Sequence, residues 1–265
     1  MSRIASLFAR SGGPRKLIAY ICALDPNHVT SLEACRVLIE SGVDLLELGV
    51  PFSDPLADGK TNQLAAERAL ASGATPADVL QLVREIRRFS DVPLVLYTYY
   101  NLVFHQGVDA AVRDAKAAGV DGMLVLDLPP EESADMVQAC RQHGMDQIYL
   151  IAPTTPEQRV PVIVENASGF LYYVSREGVT GERSDVASDL EERVAMIRRH
   201  SSLPIGIGFG ISNSSQVREV ASHADGVIVG SSIVRLFAEF GTTPDRLMSE
   251  LRAKITELRT GLDVG

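Results

Sequence analysis

The sequence has no tryptophan, and aromatic residues make up only 6% of its 265 positions. Cysteine is scarce. Cys22, Cys35 and Cys140 are odd in number, far apart and without a CxxC pair, which excludes a disulfide framework and points to a reducing compartment, the cytoplasm. Metal-ligand spacing is missing too. His28, His105, His143, His200 and His223 are scattered and read as surface or helix-end residues, so no metal is expected. Basic residues are outnumbered 25 to 34, giving a net charge of −9, and they lack interleaved aromatics. That balance argues against a nucleic-acid or anionic-membrane partner. No apolar run is long enough to span a bilayer. Three arginines and no acid in the first 24 residues faintly resemble a transit peptide, but Ile4, Leu7 and Phe8 fall at helical spacing and read better as a short helix.

What is present is alternation. Short β-branched runs read as strands near Leu17–Cys22, Asp44–Gly49, Val92–Thr98, Met123–Asp127, Gln147–Ala152, Phe170–Ser175, Pro204–Ile207 and Gly226–Val229. Helical periodicity lies between them. Thr30 is placed to cap Leu32–Ser41; Thr75, with Pro76 after it, opens another helix. Others run over Gln63–Ser72, Val108–Ala118, Glu131–His143, Pro156–Asn166, Leu190–His200, Ser214–Ala221 and Ser231–Phe240, with Pro244–Arg259 as an extra terminal helix. Eight βα units in about 250 residues favour a (β/α)8 TIM barrel with additional N- and C-terminal helices. A doubly wound sheet is the alternative, but the first strand runs into Ala23-Leu-Asp-Pro26 instead of a dinucleotide GxGxxG turn. No linker or composition shift divides the chain, so 1–265 reads as one barrel domain.

In a barrel the active site lies at the C-terminal strand ends. Strand alternation puts Leu45, Glu47 and Gly49 on one face of the second strand and Leu46 and Leu48 on the other. Glu47 then points into the barrel, where desolvation raises a carboxyl pKa and makes a general acid/base. A structural carboxylate satisfied by backbone or arginine is the competing reading. In the loop that follows, Asp54 and Asp58 are candidates to lean over the mouth; ordinary turn or N-cap roles compete. Glycine-rich ends after the seventh and eighth strands, Gly206–Ser212 and Gly230–Ser232, fit a phosphate held by backbone N–H groups and a helix N-terminus. The polar segment Ser175–Ser184 reads as a lid or as a long surface loop.

Glu47-Leu-Gly-Val-Pro-Phe-Ser-Asp-Pro-Leu-Ala-Asp58-Gly resembles the signature of the tryptophan synthase α subunit family. Asp25-Pro26, Tyr99-Tyr-Asn101, Asp127-Leu-Pro129 with Glu131-Glu132, Ser175–Gly181, Gly208–Ser212 and Gly230-Ser231 match it in order. The resemblance implies a lyase that cleaves indole-3-glycerol phosphate to indole and glyceraldehyde 3-phosphate in tryptophan biosynthesis. It implies Glu47 and Asp58 as the catalytic pair, Tyr172 near the glutamate, and Thr180 as a lid threonine. Phosphate binding falls on Gly181, Gly208, Phe209, Gly210, Gly230 and Ser231. It also implies an α2β2 complex with a β subunit that carries pyridoxal phosphate, no cofactor in this chain, and a partner face at Pro51–Lys60, Tyr99–Asn101 and Asp127–Glu132. A β-activating protein with weak lyase activity and a free-standing indole-releasing lyase are the alternatives. Five positions depart from the pattern: Leu24 replaces a glycine, Lys60 a proline and Asn62 an apolar residue, while Tyr20 and Tyr97 stand where apolar or phenylalanine-type residues line the indole pocket. The lack of tryptophan fits an enzyme made when tryptophan is scarce.

Overall fold

The computed structural model describes residues 2–9, 15–175, 183–208 and 210–262, and the backbone alone of residues 183–189. The alternating runs become eight parallel strands: β1 (Lys16–Cys22), β2 (Leu45–Gly49), β3 (Leu94–Thr98), β4 (Gly122–Val125), β5 (Asp146–Ile151), β6 (Leu171–Val174), β7 (Ile205–Gly208) and β8 (Gly226–Val229). They pair in chain order, and β8 returns to β1 to close the barrel. Closure leaves no open sheet edge.

Two apolar layers hold the barrel. Inside, Ile18, Leu45, Val95, Leu124, Ile148, Phe170 and Ile228 pack together. The short helix α1 (Arg3–Phe8) inserts Ile4, fully buried, into this inner cluster and plugs the N-terminal end. Outside, Leu46, Leu48, Leu94, Leu96 and Ile207 face the helices. Carboxylates stitch the bottom. Asp44, Asp121 and Asp225 each accept a strand N–H, from Leu17 (2.8 Å), Leu94 (2.9 Å) and Ile205 (2.9 Å). Asp121 also takes Arg87 at 2.6 Å and Arg3 at 3.1 Å.

The helices follow their end signals. Asn27, not Thr30, caps α2 (His28–Glu40), because its side chain accepts from the Thr30 N–H, so this helix begins four residues early. Gly59 opens α3 (Lys60–Ala71), and Thr75 with Asp78 forms a capping box on α4 (Pro76–Ile86). A helix not foreseen, α5 (Tyr100–Gln106), precedes α6 (Val108–Ala118). Then come α7 (Ala134–His143), α8 (Val160–Asn166), α9 (Arg183–His200), α10 (Ser214–Ala221), α11 (Ser231–Phe240) and α12 (Pro244–Arg259). The last helix ties back to the barrel bottom through Arg259 on Asp44 at 2.9 Å. Leu24, where a glycine was expected, adopts φ +66°, a left-handed conformation unfavourable for a branched side chain; its N–H is held by Ser31 at 3.0 Å.

Candidate active site

Alternation along β2 does place Glu47 inside the barrel. It lies opposite Tyr20 of β1 and Val95 of β3. Glu47 is fully buried, and among the described residues neither carboxylate oxygen has a hydrogen-bond partner. Among the described residues no arginine or backbone amide satisfies it, so the structural-carboxylate reading finds no support there. Burial alone pushes its pKa from the ordinary 4.5 to about 8. At neutral pH this is a carboxylic acid with a proton to give.

Asp58 arrives from the loop between β2 and α3. The loop end is held from several sides. Tyr99 accepts from the Ala57 N–H at 3.1 Å and donates to Asp58 Oδ2 at 2.6 Å. Tyr97 and Asn62 both donate to Asp58 Oδ1 at 3.2 Å. Gln63 donates to the Asp58 carbonyl at 2.8 Å. Behind it, Arg68 of α3 makes a two-pronged pair with buried Asp25 at 2.9 and 2.7 Å, tying the loop after β1 to the helix that follows Asp58. Asp54 does not join the site: it is exposed and takes the Ser53 hydroxyl at 2.6 Å.

Asp58 lines a cavity of about 340 Å³ at the strand mouth, together with Tyr20, Asn62, Tyr97, Tyr172, Gly210, Gly230 and Ser231. Gly210 has φ +68°, a conformation suited to glycine. Gly230 and Ser231 stand at the N-terminus of α11, whose first N–H groups and dipole favour an anion. Gly208 is not on the cavity wall; a Cβ there would stand 2.7 Å from the Tyr172 hydroxyl oxygen, so its smallness makes room for that ring. Thr180, Gly181 and Phe209 lie outside the described residues, as does most of the Ser175–Ser184 segment. The wall also includes Arg235, which the sequence reading missed. It stands four residues after Ser231 on α11, so helical spacing from the eighth strand end was the available signal.

A larger cavity, about 850 Å³, lies outside the barrel between α4, α5 and α6 and contains none of the expected site residues. Among the described residues no group of three His, Cys, Asp or Glu side chains is placed to hold a metal ion.

The structure thus brings a buried acid inside the barrel, an anchored aspartate on the cavity wall and a helix N-terminus to the same end of the strands. Residues 8–262 match the family model described as tryptophan synthase alpha chain. The chain belongs to the tryptophan synthase alpha chain family. It is 60% identical to the alpha chain of Opitutus terrae, over 98% of this chain and 99% of that one. With the Geobacter sulfurreducens alpha chain it shares 46% identity over 99% of each. Among solved structures, Mycobacterium tuberculosis tryptophan synthase superposes with a TM-score of 0.89 at 37% identity, covering 100% of this chain and 99% of that one. A Pyrococcus furiosus chain, from a structure described as explaining mutual activation of the tryptophan synthase α2β2 complex, gives 0.86 at 36% identity, over 94% of this chain and 100% of that one. As in other members of the family, the eight strands close into one parallel barrel.

Proposed function

We propose that this alpha chain cleaves indole-3-glycerol phosphate at the strand mouth, with Glu47 as general acid and base and Asp58 as the charge-stabilising partner. The observation that carries the reading is Glu47: buried, without a hydrogen-bond partner among the described residues, and protonated at neutral pH. Its proton goes to C3 of the indole ring. The resulting carboxylate takes the proton of the adjacent glycerol hydroxyl, the C3–carbon bond breaks, and its electron pair returns to the ring. Indole and glyceraldehyde 3-phosphate leave, and Glu47 ends protonated as it began. Asp58 accepts the ring N–H and offsets the positive charge that grows there. A carboxylate has about four acceptor sites. Tyr99, Tyr97 and Asn62 fill three on Asp58. The substrate phosphate sits at Gly210, Gly230 and Ser231, with Gly181 and Phe209 in the same proposed subsite; Gly208 serves it from behind, by making room for Tyr172. Tyr172 packs beside the reacting carbon, and Thr180 is proposed in the lid role that the resemblance implies.

The β subunit is the proposed partner, in an α2β2 complex like that of the Pyrococcus relative. Leu56 is 90% exposed and Phe104 66% exposed, on the two segments flanking Tyr99, and such apolar surface suits an interface. Pyridoxal phosphate belongs to that partner; this chain's residues perform acid–base chemistry only. Three buried free thiols fit a reducing compartment, which we take to be the cytoplasm. No described helix is long and apolar enough to cross a membrane. Because Ile4 and Arg259 tie both end helices to the barrel, we take 1–265 as one domain. The test is incubation of the purified chain, alone and with a β subunit, with indole-3-glycerol phosphate. Equimolar indole and glyceraldehyde 3-phosphate are expected; stimulation of the β reaction without cleavage would contradict the reading.

A further inference from the structure

The proposed acid and the cavity do not meet. Glu47 has no exposed surface and is not on the cavity wall. Phenol rings from three strands stand on that wall: Tyr20 of β1, the register partner of Glu47; Tyr97 of β3, two residues past the Val95 that pairs with Glu47 and so one layer nearer the mouth on the same face; and Tyr172 of β6. Burial raises the pKa of all three well above that of a free phenol, and the negative charges of Glu47 and Asp58 add to the rise. The other titratable groups that face this part of the barrel are Asp58 and Lys60 from the loop and the start of α3, Arg235 of α11, and Cys22 at the end of β1.

The rings are not held alike. Tyr20 is 6% exposed and leans over Gly49, where a Cβ would stand 2.8 Å from its ring carbon Cζ. Tyr172 fits over Gly208 in the same way. Tyr97 is less buried than Tyr20. It meets Tyr20 edge-on, with ring centroids 4.8 Å apart, and its hydroxyl is held by one hydrogen bond, 3.2 Å to Asp58 Oδ1. That hydroxyl is an aromatic-borne donor resting on the carboxylate proposed to receive the indole N–H. Oδ1 also accepts from Asn62, so both of its acceptor sites are taken, and an indole N–H that comes to this oxygen must displace a donor.

Resting on the Glu47–Asp58 reading, we propose that Tyr97 is a gate worked by the substrate. The indole N–H takes the place of the Tyr97 hydroxyl on Asp58, the ring swings aside, and Glu47 is opened to C3. The acid stays out of water until the ring that needs its proton has arrived. The exchange is one hydrogen bond for another, so it asks little of the binding energy beyond moving one side chain. Tyr97 makes no bond to the reacting atoms; it acts through Asp58 and Glu47.

Indole release measured across pH in two variants tests this. Tyr97→Phe keeps the ring over Glu47 but removes the competing donor. Its KM should fall about threefold to tenfold, the worth of one net hydrogen bond, with the alkaline limb of kcat/KM unmoved. Tyr97→Leu removes the cover, so water reaches Glu47 in the free chain and the alkaline limb should move down by about one pH unit or more. An unchanged KM in Tyr97→Phe, or an unmoved limb in a folded Tyr97→Leu, overturns the gate; if the leucine variant does not fold, the phenylalanine KM decides. Glu47→Gln separates the two levels. An active Glu47→Gln removes the acid–base reading and the gate with it. An inactive Glu47→Gln beside Tyr97 variants that behave as wild type removes the gate alone.

Discussion

Replacing Glu47 by glutamine should make the chain more stable in alkali, although it removes the proposed catalytic acid. The argument is linkage. In the folded chain the Glu47 pKa is about 8, against an ordinary value of 4.5. Between those values the folded carboxyl holds a proton that the unfolded one has lost. Wild-type stability is therefore fully present below pH 4.5 and declines as pH rises toward 8. Each unit of difference is worth about 1.4 kcal/mol, so the loss is on the order of 3 kcal/mol at pH 7 and approaches roughly 5 kcal/mol by pH 9. Glutamine has nearly the shape of the neutral acid and does not titrate. Urea unfolding of both proteins at pH 5 and pH 9 isolates the effect, because all other groups cancel in the difference. The two should be nearly equal at pH 5, and the glutamine variant should be more stable at pH 9 by several kcal/mol. A stability difference that does not change with pH would refute the idea that Glu47 is a buried, unpaired acid.

Other outcomes follow from the same contacts. Asp58→Asn should lower kcat by about a hundredfold to a thousandfold, as removal of an electrostatic stabiliser does, with a smaller change in KM. Gly208→Ala pushes a methyl group into the Tyr172 hydroxyl, so unfolding assays should show a loss of about 1–3 kcal/mol and indole release should drop. Asp121→Ala leaves Arg87, whose side chain is 12% exposed, with backbone carbonyls but no carboxylate, takes one of the two carboxylates from Arg3 and unpairs the Leu94 N–H; about 3–5 kcal/mol should be lost in urea unfolding. Ile4→Ala empties the barrel plug and should cost about 2–5 kcal/mol while leaving KM near wild type.

Much of this architecture is written locally. The strands announce themselves by alternation, and α4 by Thr75, Pro76 and Asp78, because those signals act within a few residues. The inward aim of Glu47 follows from the pleat alone. Helix α5 was hidden for a physical reason. Its sequence Tyr-Asn-Leu-Val-Phe-His-Gln is rich in residues that favour strands, and its first N–H groups find no local cap. The Tyr100 N–H is instead taken at 2.7 Å by Asp127, from the segment after β4, a partner 27 positions away. The early start of α2 turned on the choice between two nearby cap residues, Asn27 and Thr30. The site divides the same way. Glu47 and Asp58 could be named from pattern and resemblance. That Tyr97, Tyr99 and Asn62 converge on Asp58, while Glu47 finds no hydrogen-bond partner among the described residues, depends on where β3, the turn after it and the start of α3 meet.

The central claim is that the proton delivered to the indole ring comes from Glu47. The most direct measurement is the rate of indole release from indole-3-glycerol phosphate by Glu47→Gln at saturating substrate, beside the wild-type chain. General acid–base work contributes about 10²–10⁴-fold, so a fall of at least a hundredfold with the fold intact is predicted. A Glu47→Gln chain that turns over within tenfold of wild type would contradict the account.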